Sequence, residues 1–119
     1  MSTILVVDDS PTARKAITDA LSGAGHRIIT ATDGDEALRK ALQEHPDLIL
    51  LDIVMPGKNG FQVCRQLKMD TATKDIKIIL VTSKDQASDR FWGLKQGADA
   101  YITKPFVEAE LRASVAQCL

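Results

Sequence analysis

The residues able to do chemistry sit just after apolar runs. Asp8-Asp9 follow Ile4 to Val7, and Asp52 follows Leu48 to Leu51. Thr82-Ser83 follow Ile76 to Val81, and Lys104-Pro105 follow Ala100 to Thr103. Alone, each group has an ordinary role: a turn or helix-capping aspartate, a capping hydroxyl, a solvated lysine. Together they are three carboxylates, two hydroxyls and one ammonium. Carboxylates brought together repel one another, so such a set calls for a cation. Oxygen ligands without His or Cys select Mg²⁺, with Mn²⁺ as the alternative. Mg²⁺ binds a few protein oxygens plus a phosphate, and a lysine can approach phosphate oxygens as a point charge. Phosphoryl transfer needs mainly positioning and charge neutralisation, and a carboxylate such as Asp52 is a suitable nucleophile.

The elements that would carry these groups alternate regularly. Short apolar runs at Ile4 to Val7, Arg27 to Ala31, Leu48 to Asp52, Ile76 to Val81 and Ala100 to Thr103 read as strands. Between them lie helical patterns. Pro11 opens the first, which carries Ala13, Ala16, Ile17, Ala20, Leu21 and Ala24 on one face. Asp33-Gly34 leads into the second, with Ala37, Leu38, Ala41 and Leu42. Gly60 opens the third, with Phe61, Cys64 and Leu67. The fourth covers roughly Asp85 to Gln96, and the fifth runs from Val107 to Leu119. Continuous apolar strands are buried on both faces, which predicts an α/β protein with a parallel sheet covered by helices, (βα)5. The functional crevice of such a sheet lies beyond the carboxyl ends of its strands. In a strand order of 2-1-3-4-5, strands one, three, four and five are neighbours and their terminal groups share one cleft.

At 119 residues the chain is expected to form one domain, residues 1–119, with no segment left over for an effector domain. Fifteen Lys and Arg against 16 acids leave a net charge of −1, so no basic field points to nucleic acid. No run approaches the ~20 apolar residues of a membrane span, and Met1-Ser2-Thr3 begins no secretory signal, so the expected location is cytoplasmic. Cys64 and Cys118 share no metal-binding spacing and read as small core residues.

With these residues in place, the chain resembles the receiver domain of two-component response regulators over essentially its whole length. The motifs are "ILVVDDS", "LILLDIVMPGKNG", "IILVTS" and "ADAYITKPF". The resemblance implies a flavodoxin-like, doubly wound sheet in the order 2-1-3-4-5. It implies that Asp52 accepts a phosphoryl group from a histidine kinase. Asp8, Asp9 and Asp52 would hold Mg²⁺ with the Val54 backbone carbonyl. Thr82 would move to the phosphoryl oxygen, Lys104 would contact it, and the Tyr101 ring would turn inward as a switch. Pro105 falls where the family carries a cis peptide. Val54, Lys84 and Ser83 neighbour the phosphoryl site, and an apolar Val54 offers no group to orient attacking water. The stretch "DRFWGLKQGADAYITKPF" is similar to stand-alone receivers of chemotaxis-like systems that control type IV pili and twitching or phototactic motility. On the fourth helix, Phe91 is expected to pack inside on the stripe of Ala87, Leu94 and Ala98. Trp92, partly exposed, would either cap the helix edge or meet a partner.

The implied function is a phosphorylation switch that acts by binding another protein through helix four, strand five and helix five, and not an enzyme beyond self-phosphorylation and self-dephosphorylation. Two alternatives stand beside it. One is a phosphate sink that drains a shared kinase without a target. The other is a Mg²⁺-dependent phosphatase of the haloacid dehalogenase type, which needs a second Asp two residues after the nucleophile; that position is Val54.

Overall fold

The computed structural model describes residues 1–119. Five strands alternate with five helices: β1 (Thr3–Val7), α1 (Pro11–Leu21), β2 (Arg27–Ala31), α2 (Gly34–Glu44), β3 (Leu48–Leu51), α3 (Gly60–Met69), β4 (Lys77–Thr82), α4 (Ala87–Lys95), β5 (Ala100–Thr103) and α5 (Glu108–Cys118). The strands form one parallel sheet in the order β2-β1-β3-β4-β5. This is the doubly wound, flavodoxin-like α/β fold that the strand pattern and the family motifs predict.

Alternation along each strand divides the core into two layers. Leu5, Val7, Ile49, Leu51, Ile78 and Leu80 face the side that also buries Ala37, Ala41, Val63, Cys64 and Leu67 from α2 and α3. Ile4, Val6, Leu48, Leu50, Ile79 and Val81 face the other, with Ile17, Ala20 and Leu21 from α1 and Leu111 and Val115 from α5. Every residue of β3 is buried, which is why its sequence shows no polar alternation. Successive side chains of a strand point to opposite faces, so a one-residue slip would exchange both layers and displace every strand-end group.

Local signals set the helix starts. The Ser10 hydroxyl accepts from the Ala13 amide and Pro11 occupies the first turn of α1. Asp33 caps α2 through the Glu36 amide, and Asn59 and Gln62 form a reciprocal capping box on α3. Three helices are shorter than the sequence pattern suggests, α4 among them, which spans Ala87–Lys95 rather than Asp85 to Gln96. The first stops at Leu21, leaving Ala24 outside, and α5 omits Val107 and Leu119, which flank it.

Helix α4 departs furthest from expectation. Phe91 does not pack inside: it is 60% exposed, next to Trp92 at 54% and Leu94 at 47%. The one buried residue of α4 is Gly93. A Cβ at Gly93 would lie 2.7 Å from Leu80 Cδ1 and 3.0 Å from Tyr101 Cδ2, so the helix backbone itself rests on the sheet. Close approach at this point turns the aromatic side chains outward, where Phe91 and Trp92 meet edge to face with ring centroids 6.0 Å apart. The cysteines divide as well: Cys64 is buried core, whereas Cys118 is only half-buried.

Replacing Gly93 with Val should therefore lift α4 off β4 and β5. Overpacking of this kind costs about 1–3 kcal/mol. Urea unfolding should show that loss, with amide exchange rising first along α4; unchanged stability would mean that α4 does not dock through Gly93.

Candidate phosphoryl-accepting site

Three chain segments deliver charged side chains to the carboxyl edge of the sheet. Asp8 and Asp9 follow β1, and the Asp8 amide still donates to the Ala31 carbonyl as an extension of the sheet pairing. Asp52 follows β3, its amide donating to the Val7 carbonyl at 3.1 Å. Lys104 follows β5, its amide donating to the Thr82 carbonyl at 2.8 Å. Asp8, Asp52 and Lys104 are thus each held by a ladder bond that continues past the last strand residue. The Lys104–Pro105 peptide is cis, as the family motif implies.

The side chains converge. One carboxylate oxygen from each of Asp8, Asp9 and Asp52 lies within 4.8 Å of the others. Asp8 and Asp52 are buried and Asp9 is exposed. Lys104 Nζ sits 2.5 Å from Asp8 Oδ2 and 3.5 Å from Asp52 Oδ2. Its ammonium therefore offsets the charge of the two buried carboxylates while Asp9 faces solvent. Asp52 Oδ1 accepts from the Ile53 amide at 2.7 Å and the Val54 amide at 3.3 Å, which leaves Oδ2 as the oxygen with no backbone donor.

Gly60 makes this arrangement possible. A Cβ there would stand 2.2 Å from the Asp52 carbonyl oxygen and 2.7 Å from Ile53 Cα. The Gly60 amide also donates to the Ile53 carbonyl at 2.9 Å, so the start of α3 clamps the chain that leaves Asp52. The sequence marks Gly60 as a helix start; the close approach to Asp52 comes from the fold.

Thr82 is buried at the end of β4, and its hydroxyl accepts from the Lys84 amide at 3.3 Å rather than meeting the carboxylates. The Lys84 carbonyl in turn accepts from the Tyr101 hydroxyl at 2.6 Å. One residue thus ties the Thr82 side chain to the Tyr101 side chain through its two backbone groups. The Tyr101 ring is buried, with the Arg90 guanidinium 5.2 Å from its centroid. Ser83, Lys84 and Val54 are exposed around the rim. Arg14, which the sequence analysis passes over, donates to the Asp8 carbonyl at 2.8 Å. A cation in the first turns of a helix that follows two aspartates was the available signal.

Residues 4–116 match the response regulator receiver domain family. The chain belongs to that family. As a receiver domain it has a phosphoryl-accepting role in two-component signalling, a setting in which the donor is a histidine kinase. It is 48% identical to Protein PilH of Pseudomonas aeruginosa over 115 residues, covering 97% of this chain and 95% of PilH. It is 44% identical to the alkaline phosphatase synthesis transcriptional regulatory protein PhoP of Bacillus subtilis, covering 94% of this chain but 46% of PhoP. Among solved structures, the receiver superposes on chemotaxis protein CheY4 of Vibrio cholerae with a TM-score of 0.92 and 32% identity, over 100% of this chain and 99% of that one. The BeF3-activated DrrB receiver domain gives 0.89 and 30%, over 99% and 97%. No helix of the receiver is long and apolar enough to cross a membrane.

Two buried acids give the fold a pH signature. Burial, ahead of the nearby Asp89 charge, pushes the Tyr101 hydroxyl from its ordinary 10.0 to about 12. Burial also pushes the Cys64 thiol from 9.0 to about 12. The unfolded chain ionises these groups first, so the stability of their neutral folded forms is whole below about pH 9 and is lost as pH rises toward 12. Each group steepens the fall by up to about 1.4 kcal/mol per pH unit in its own interval. Tyr101→Phe with Cys64→Ala should flatten urea midpoints across that range relative to the parent; an unchanged slope would contradict the assignment.

Proposed function

We propose that Asp52 is the phosphoryl acceptor of this receiver and that Oδ2 is its attacking oxygen. The observation that carries the reading is the polarity of the Asp52 carboxylate: Oδ1 is occupied by two amides, while Oδ2 looks toward Lys104. In transfer from a phosphohistidine, the new P–O bond forms at Oδ2 as the P–N bond breaks, and the imidazole nitrogen keeps the bonding electron pair. Lys104 then stands where the incoming phosphoryl oxygens gather charge, and such preplaced cations are the main resource of phosphoryl-transfer sites.

Asp8, Asp9 and Asp52 would hold Mg²⁺, joined by the Val54 backbone carbonyl. The donor set fits: three carboxylate oxygens within 4.8 Å, with no imidazole or thiolate among them. Asp9 makes no side-chain hydrogen bond or ion pair and is free to turn to a cation. When bound, the ion supplies charge neutralisation between the carboxylates and the phosphoryl oxygens.

The switch runs through Thr82, Lys84 and Tyr101. Movement of the Thr82 hydroxyl toward a phosphoryl oxygen would give up its bond from the Lys84 amide, and the Lys84 carbonyl carries the Tyr101 hydroxyl with it. This biases the surface of α4, β5 and α5, where Phe91, Trp92 and Leu94 lie exposed. We assign Trp92 to the partner face on this ground. The chain acts in this reading as a phospho-accepting signalling domain, not as an enzyme with turnover on a separate substrate. A cytoplasmic location is in keeping with its two free cysteines. The likeness to PilH and to the chemotaxis protein CheY4 supports a chemotaxis-like pathway of the kind that governs type IV pilus motility.

Asp52→Asn should abolish labelling by acetyl phosphate in the presence of Mg²⁺, read on phosphate-affinity gels; full labelling of that variant would overturn the acceptor assignment. Val54→Asn should shorten the lifetime of the phosphorylated state several-fold, because an amide there can orient the attacking water that Val54 cannot. An unchanged half-life would remove Val54 from the set that governs hydrolysis.

A further inference from the structure

Asp9 is the one member of the acidic set whose carboxylate has no partner in the protein. Its place beside Asp8 and Asp52 therefore depends on the two peptide groups that flank it. Both are pinned. The Asp8–Asp9 peptide presents its carbonyl to Arg14 Nη1 at 2.8 Å. The Asp9–Ser10 peptide presents its amide to Asp8 Oδ1 at 2.9 Å. The second bond ties Ser10 to Asp8, which the pairing with Ala31 and the contact with Lys104 already hold. Arg14 adds an independent tie on the other peptide, because it belongs to α1, whose Ile17, Ala20 and Leu21 are buried in the core. The Arg14 amide also donates to the Ser10 carbonyl at 3.0 Å, and its carbonyl accepts from the Thr18 hydroxyl at 2.8 Å, which fixes the base of the side chain.

We infer that Arg14 is a positioning residue for the divalent cation: by holding the Asp8–Asp9 peptide from α1, it keeps Asp9 in the place where its carboxylate joins those of Asp8 and Asp52. The inference rests on the proposed cation site. Two effects of Arg14 have opposite signs, which makes the idea testable. As a positive charge beside an acidic cluster, Arg14 repels a cation, so removing it would strengthen Mg²⁺ binding. As a clamp on the peptide before Asp9, its removal would weaken binding, and groups that orient metal ligands typically contribute 10–100-fold to affinity.

The experiment is a titration of the whole chain with Mg²⁺ alone, followed by the amide resonances of residues 8 to 10 and repeated for four variants. Arg14→Ala should weaken Mg²⁺ about tenfold. Arg14→Lys, which keeps a donor on a long stem, should recover part of the loss. Asp9→Asn should weaken binding too, and adding Arg14→Ala to it should cost little more, since both changes remove the same ligand. Thermal melts without Mg²⁺ separate this from a general loss of folding. Unchanged or tighter binding by Arg14→Ala, or losses that add fully in the double variant, would overturn the role of Arg14 while leaving the cation site intact. Failure of the parent chain to bind Mg²⁺ at these resonances would overturn both.

Discussion

The structure depends on one electrostatic arrangement: the Lys104 ammonium between Asp8 and Asp52. Two carboxylates are buried at the ends of adjacent strands, and burial of like charges is tolerated only with compensation. Lys104 supplies it from across β4, at 2.5 Å from Asp8 and 3.5 Å from Asp52. The rest of the fold is arranged to keep that distance. Strand order puts β1 beside β3 and brings β5 within reach over β4. The Lys104 amide is held by the Thr82 carbonyl, and Gly60 lets α3 close on the Asp52 backbone. A phosphoryl group on Asp52, as proposed, would add negative charge at a place where one cation is already fixed.

The same edge of the sheet connects chemistry to surface. Thr82 ends β4 and Tyr101 lies in β5, and the backbone of Lys84 holds one with its amide and the other with its carbonyl. The Tyr101 ring lies against the bare backbone of Gly93, with Arg90 over its face. In the proposed switch, a shift of the loop after β4 would reach α4 without any long chain of contacts. This element buries only Gly93 and carries its large apolar groups outward, which suits the proposed role of a surface that responds and is recognised.

How far the sequence reaches can be judged from particular residues. The strand ends are legible because burial of all of β3, and of β4 after Lys77, writes continuous apolar runs, and the groups that end them are forced to one edge by parallel pairing. Hence Asp8, Asp9, Asp52 and Lys104 were found together. Phe91 lies outside the core for a physical reason. The stripe of Ala87, Phe91, Leu94 and Ala98 assumes that a helix buries apolar side chains, but α4 buries a glycine instead, and apolar residues can remain on a surface. Arg14 is marked in the sequence only by its place in the helix after two aspartates, because its partner is a main-chain carbonyl. The tie between Thr82 and Tyr101 was hidden for the same reason: Lys84 joins them by its backbone alone.

The central claim is that the Asp52 carboxylate takes the phosphoryl group. The most direct measurement is to phosphorylate the whole chain with acetyl phosphate and Mg²⁺, reduce it with borohydride and map the product by peptide mass spectrometry. Reduction converts an aspartyl phosphate to homoserine, so the account predicts homoserine at residue 52 and intact aspartates at 8 and 9. Homoserine at Asp8 or Asp9, or none at Asp52 in chain shown to be labelled, would contradict it.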